Sequence, residues 1–150
     1  MNAYEIKQDN VLISTDKALL DRALVHSFLS GHSYWAQGIT PDAVNHSIEH
    51  SLCFGMYQDD EQVGFCRVVT DFTTFAWLAD VFVVEAKRGR GLSKKLMAAV
   101  LAHPDLQGLR RFVLGTRDAH GLYAQFGFKP LEYPERFMEI CGTNSYKCGC

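Results

Sequence analysis

The chain contains no apolar run near the ~20 residues that span a bilayer. It has no excess of either charge, since 15 Lys and Arg against 17 Asp and Glu leave a net charge of -2. With a pI near 6.3, the electrostatic footprint of a nucleic-acid binder is missing. Neither a membrane nor a nucleic acid is therefore an expected partner. Linkers, internal repeats and low-complexity stretches are absent. The opening MNAYEIKQDN holds no apolar signal region, so the expected location is the cytoplasm. Cysteines are few and odd in number: Cys53, Cys66, Cys141, Cys148 and Cys150. An odd count without an export signal argues against a disulfide framework. Cys53 and Cys66 lie in apolar runs and read as small core hydrophobes. The pair at Cys148 and Cys150 could bind a soft metal or oxidise. The simpler reading is a tail of about ten residues with no catalytic part, and no metal site is expected.

What is present is an ordinary globular balance, 47% hydrophobic and 21% charged over 150 residues. That length makes one domain, residues 1–150, and buries about 68–70% of its unfolded surface without staples. Residues 10–14 read as a first strand. Ser14, Thr15 and Asp16 offer a cap for a helix carrying Leu20, Leu24 and Phe28. Thr40 and Pro41 open a second helix with Val44 and Ile48 on one face. The period then falls to two. Residues 52–58 and a run through Val63, Phe65 and Val69 read as a hairpin about a polar turn. Residues 75–84 form a long, nearly unbroken apolar run, expected to be a central strand buried on both faces. A helix from Leu92, a strand at 111–114, a helix capped by Asp118 and stopped by Gly127, and a strand at 137–141 complete a mixed α/β pattern.

The most informative segment is Val81-Phe82-Val83-Val84-Glu85-Ala86-Lys87-Arg88-Gly89-Arg90-Gly91-Leu92-Ser93-Lys94. A strand enters a glycine-rich basic turn that opens a helix. The first turn of a helix leaves amides unpaired, and its dipole favours an anion there. Glycines let that backbone approach a ligand. The arrangement is that of a phosphate site, with Lys87, Arg88 and Arg90 adding charge. A P-loop is excluded, because no G-x-x-x-x-G-K-[ST] occurs. The dinucleotide fingerprint fails at Lys94, where its third glycine belongs.

Arg88-Gly89-Arg90-Gly91-Leu92-Ser93 resembles [QR]-x-x-G-x-[GA], the pyrophosphate loop of the GCN5-related N-acetyltransferase (GNAT) superfamily. Ser93 departs from the Gly or Ala preferred there. Further on, Ala119-His120-Gly121-Leu122-Tyr123-Ala124-Gln125-Phe126-Gly127-Phe128 looks like the A-x-x-L-Y-x-x-x-G-F helix of the same family. The element order resembles the GNAT fold from Asn10 to about Cys141.

The resemblance implies an α/β GNAT fold: a mixed central sheet flanked by helices, with a splayed central strand pair. It implies an N-acetyltransferase using acetyl-CoA, in which a primary amine attacks the thioester directly through a tetrahedral oxyanion. The backbone of Val81, Phe82 and Val83 would hold the pantetheine arm. The amides of Arg88, Gly89, Arg90, Gly91, Leu92, Ser93 and Lys94 would hold the pyrophosphate. Tyr123 would give the leaving thiolate its proton, or else only pack. Asp80, the one charged residue in the apolar strand, would serve as base or hold the amine. It is otherwise a structural carboxylate bonded to a group such as Arg67. His120 is a lesser candidate. Tyr34 and Trp35, between the first two helices, would line the acceptor site as a cation–π cage, or pack on the core. The acceptor is expected to be a small-molecule amine. A protein or peptide acetyltransferase and a non-catalytic acyl-CoA-binding module are the alternatives. A homodimer is left open.

Overall fold

The fold was obtained as a computed structural model, which describes residues 2–142. Six strands form one sheet in sequence order: β1 (Glu5–Gln8), β2 (Val11–Ser14), β3 (Leu52–Gln58), β4 (Glu61–Thr70), β5 (Phe75–Val83) and β6 (Arg111–Leu114). The first five pair antiparallel with their sequence neighbours, and β6 joins β5 in parallel. The crossover into β6 is α3 (Leu92–Ala102), as a parallel connection requires.

Helix α3 covers one face of the sheet. Its Leu92, Leu96, Met97 and Val100 meet Val11, Ile13, Phe54, Val68 and Leu78. Fully burying each such side chain is worth about 1.5–3 kcal/mol. On the other face, α1 (Arg22–Gly31) and α2 (Pro41–Glu49) place Val25, Phe28, Val44 and Ile48 over Cys53, Phe65 and Phe82. Phe28 stacks on Phe82 at 4.0 Å between ring centroids.

Several sequence expectations are revised. The polar strand β1, Glu-Ile-Lys-Gln, gives no apolar signal and forms by pairing with β2. Asp16 does cap, accepting from the Ala18 amide at 2.9 Å, but only a 3-10 turn follows. Helix α1 starts later, where Asp21 accepts from the Leu24 amide at 3.0 Å. Its buried residues are Val25, Phe28 and Leu29, while Leu20 and Leu24 are half-buried. Strand β5 is not covered on both faces, since α1 and α2 do not reach its first half. Phe75 and Trp77 there stay exposed. Short helix α4 (His120–Ala124) is not capped by Asp118; the Ala119 amide donates instead to Thr116 Oγ1 at 3.0 Å. Gly127 does end that turn, at φ 93°. No strand forms at 137–141, where the backbone is irregular and exposed. Cys53 and Cys66 are buried and free as expected, whereas Cys141 is disulfide-bonded. Cys148 and Cys150 lie outside the described residues.

Candidate active site

The strand pair β5–β6 creates the opening. The two pair only from Phe75↔Arg111 to Leu78↔Leu114. Beyond Leu78, β5 runs on to Val83 with no strand among the described residues beside it on that side. This is the splay expected of the fold.

A bulge sits where the splay begins. The β4–β5 register passes from Phe65↔Phe82 to Arg67↔Ala79, with one more residue on β5 than on β4. Asp80 takes the extra position with φ at 56°, a left-handed conformation that costs a non-glycine residue energy. Ala76 and Leu78 point to the α3 face before the bulge, and Val83 does so after it. The bulge thus turns Asp80 toward the α1–α2 side. There Trp35 Nε1 donates to Asp80 Oδ1 at 2.8 Å, and Arg67 Nε donates to Oδ2 at 2.5 Å. Arg67 Nη1 also donates to Ser51 Oγ at 3.1 Å. Both carboxylate oxygens are therefore already engaged, the arrangement of a structural carboxylate. Trp35 is tied into this cluster.

Backbone alternation sorts the other β5 residues. The Val84 amide donates to Val63 O at 2.9 Å, so Val84 and, two residues back, Phe82 turn their polar groups to β4. Val81 and Val83 turn theirs to the splay side. Among the three expected to hold pantetheine, Val81 and Val83 present backbone groups to the opening, and Phe82 presents a ring to α1. The Val83 carbonyl accepts from Arg88 Nε at 3.1 Å.

The glycine turn has the geometry of an anion site. Gly89 and Gly91 have φ of 79° and 74°, which glycine alone adopts freely. Gly91 is the N-cap of α3 and contributes no side-chain cap. The first intrahelical bond is from the Lys95 amide to Gly91 O, so the amides of Leu92, Ser93 and Lys94 have no helical acceptor. Leu92 is buried, Ser93 is half-buried, and Arg88, Arg90 and Lys94 are exposed around the turn. A Cβ placed at Gly89 or Gly91 would meet nothing within 4 Å. The glycines therefore serve backbone conformation, and side-chain clearance is not what fixes them.

Tyr123 lies on α4, the helix that follows β6. It is buried, its ring tilts edge-on to Phe128 at 6.0 Å, and it lines a cleft of about 250 Å³ with His120 and Leu114. Burial pushes its phenol up to about 12, with Cys66 and Tyr34 adding to the effect. The hydroxyl thus keeps its proton through the neutral range. Tyr34 lies on the α1–α2 connection, where its hydroxyl accepts from the Arg117 amide at 2.8 Å. The Arg117 guanidinium covers its ring at 4.0 Å. One face of the expected aromatic cage is therefore taken by a protein cation. Sequence spacing gives no sign of this tie, because its residues lie 83 positions apart. Among the described residues, no cluster of three His, Cys, Asp or Glu side chains could hold a metal ion. No helix there is long and apolar enough to cross a membrane.

A parallel strand pair that opens beyond four residue pairs, a glycine turn opening an uncapped helix, and a protonated tyrosine on the helix after the second strand together define a class. Residues 49–130 match the acetyltransferase (GNAT) domain. A crystal structure of a GNAT-family candidate acetyltransferase from Xanthomonas campestris pv. campestris is 54% identical and superposes with a TM-score of 0.86, covering 89% of this chain and 94% of that one. A candidate acetyltransferase of Gibberella zeae is 32% identical over 136 residues, covering 76% of each chain. A Mycobacterium tuberculosis protein crystallised with CoA shares the fold at 15% identity and a TM-score of 0.64, covering 80% of this chain and 72% of that one. The chain belongs to the GNAT acetyltransferase family.

Proposed function

We propose that this protein is an acetyl-CoA-dependent N-acetyltransferase for the primary amine of a small molecule, with the cytoplasm as its compartment. The observation that carries the reading is the uncapped start of α3 facing the unpaired half of β5, with Tyr123 beyond it. Those parts fit a molecule with a pyrophosphate, an amide-bearing arm and a thioester. Acetyl-CoA supplies the activated acetyl group.

The chain's own residues do the rest. The amides of Leu92, Ser93 and Lys94 bind the pyrophosphate, helped by the dipole of α3. Gly89 and Gly91 shape the turn, and Arg88 and Arg90 add charge. The backbone groups of Val81 and Val83 take the arm as a strand edge would. Tyr123 holds a proton at its Oη for the departing sulfur. Asp80 holds the acceptor's ammonium or takes its proton, after exchanging one of its two present donors for it. Trp35 and Tyr34 form the acceptor's wall.

The tight engagement of Asp80 favours one rival, a CoA-binding module without turnover. Calorimetry with acetyl-CoA, followed by thiol release across a panel of small amines and lysine peptides, decides among the readings. Binding with amine-dependent thiol release supports the enzyme, and binding without release supports the module. Release with peptides alone makes it a protein acetyltransferase.

A further inference from the structure

The catalytic reading uses the α1–α2 side of the sheet only around Asp80. Further along the β4–β5 hairpin the same side is bare. Ala76 and Leu78 of β5 and Cys66 and Val68 of β4 point into the α3 core. Alternation therefore turns Phe75, Trp77, Arg67 and Val69 the other way. Val69 and Trp77 are direct cross-strand partners. Val69 is 42% exposed, and Phe75 and Trp77 are each 40% exposed. One such residue on a surface is ordinary, but three adjoining ones make an apolar patch.

Trp77 joins this patch to the proposed acceptor site. Its indole lies against Gly115, where a Cβ would stand 3.5 Å from Cη2 and 3.8 Å from Cζ2. Gly115 directly follows β6, where β5 and β6 part. The indole is thus at the mouth of the opening, on the face to which the bulge turns Asp80. Trp77 and Asp80 are three residues apart on β5, about 10 Å of strand. Charge on this floor is already spent. The carboxylate at the hairpin turn, Asp71, accepts from the amides of Thr73, Thr74 and Phe75. The Arg117 guanidinium lies on the Tyr34 ring. A second ammonium or a run of amides would find little here to replace its water, whereas a ring would find a surface.

We propose that the acceptor is an arylalkylamine, its ammonium at Asp80 and its ring on Trp77. This assignment rests on the proposed acetyl transfer to an amine and names the class of amine. The Asp80 carboxylate complements the ammonium, and the Trp77 ring beside Val69 complements the aromatic body. The patch is continuous with the acceptor site, because Arg67, two residues from Val69 on the same face, bonds Asp80, and Asp80 bonds Trp35. Packing of one ring on another adds to the burial of area. The site therefore selects by the body of the acceptor, since the ammonium is common to all amines.

Phenethylamine, ethanolamine, spermidine and a lysine peptide are compared by thiol release from acetyl-CoA and by calorimetry on the CoA complex. Phenethylamine is expected to exceed ethanolamine in kcat/KM by about 100-fold. Trp77→Ala is expected to remove about 10-fold or more of that lead, and Trp77→Phe to keep most of it. The acetyl-CoA Kd, measured beside them, reports whether each variant folds. A better rate with ethanolamine, spermidine or peptide, or a Trp77→Ala loss equal across acceptors, overturns the assignment. Calorimetry separates that failure from failure of the transfer reading. Selective binding of phenethylamine that Trp77→Ala abolishes, without thiol release from any amine, removes the transfer and supports the aromatic-amine site. Thiol release without preference does the reverse, and neither binding nor release overturns both. Light scattering tests the other occupant: a dimer that Trp77→Ala separates puts a second copy on this face and overturns the proposal.

Discussion

The Tyr34 hydroxyl accepts a hydrogen bond from the Arg117 amide at 2.8 Å while the Arg117 guanidinium lies on the Tyr34 ring. This pair ties the α1–α2 connection to the loop between β6 and α4. In the proposed reading Tyr34 forms part of the acceptor's wall, so loss of the pair should act on the acceptor more than on CoA. Tyr34→Phe removes one hydrogen bond of about 1 kcal/mol and keeps the stack. It is expected to raise the acceptor KM about fivefold with an unchanged acetyl-CoA Kd. Tyr34→Ala removes both contacts and is expected to raise KM further. Steady-state kinetics beside calorimetry measures this, and equal effects on both ligands would refute it.

Tyr123→Phe keeps the ring and deletes the proton. A general acid contributes about 10²–10⁴-fold in rate, so thioester turnover is expected to fall by that factor with little change in CoA affinity. A rate within twofold of wild type, with chemistry limiting, removes Tyr123 from the mechanism.

Asp80→Asn separates a structural carboxylate from a catalytic one. The substitution weakens the charged bond to Arg67, worth about 1.5–3 kcal/mol. A lowered Tm with normal activity per folded molecule assigns Asp80 to architecture. A lowered rate with a changed pH profile assigns it to the amine. Asparagine also tolerates the left-handed conformation, so the bulge itself should survive.

Gly91→Ala tests the turn. The left-handed conformation costs a residue with a Cβ about 1–2 kcal/mol, although the added methyl meets no atom. The expected result is a lower Tm and weaker acetyl-CoA binding, read by calorimetry. Unchanged affinity in the folded variant would remove the turn from the binding site.

Alkali is expected to unfold the protein. Burial raises the Cys53 thiol from 9.0 to about 11 and the Tyr123 phenol from 10.0 to about 12. Between each pair of values the unfolded chain has lost a proton that the folded chain still holds, so stability falls as pH rises. The contribution is complete below pH 9 and is lost progressively from 9 to 12. Tm measured across that range should drop, and Tyr123→Phe should flatten the part above pH 10. A Tm independent of pH between 9 and 11 would contradict it.

The sequence was legible where one residue type meets one physical demand. Gly89 and Gly91 announce left-handed turns before a helix, and the apolar run through Val83 announces an inner strand. Asp80 was conspicuous because a carboxylate inside such a run needs a partner, and Arg67 is that partner. Contacts made across the fold were not legible. Nothing in the order of residues brings Tyr34 to Arg117, or Trp35 to Asp80. The stretch at 137–141 has strand composition, yet a strand also needs a neighbour, and composition does not supply one. Strand β1 shows the reverse, as a polar stretch made regular by pairing with β2.

The short contact between β5 and β6 has a mechanical consequence. Four residue pairs are all that join β6 to the sheet as a ladder, and the opening between β5 and β6 begins where they end. The molecule therefore resembles a partly unzipped seam, and a ligand lying in the gap would bridge both sides of it. Such a ligand stabilises the joined form through its own binding free energy, in proportion to RT ln(1 + [L]/Kd). At the seam, amide hydrogens of Phe112, Val113 and Leu114 should exchange with solvent more slowly when CoA is present, because the opening that exposes them also releases the ligand. Those of Phe54 and Val68, fully buried in the antiparallel half, exchange through global unfolding and should slow by at most the same factor, 1 + [L]/Kd.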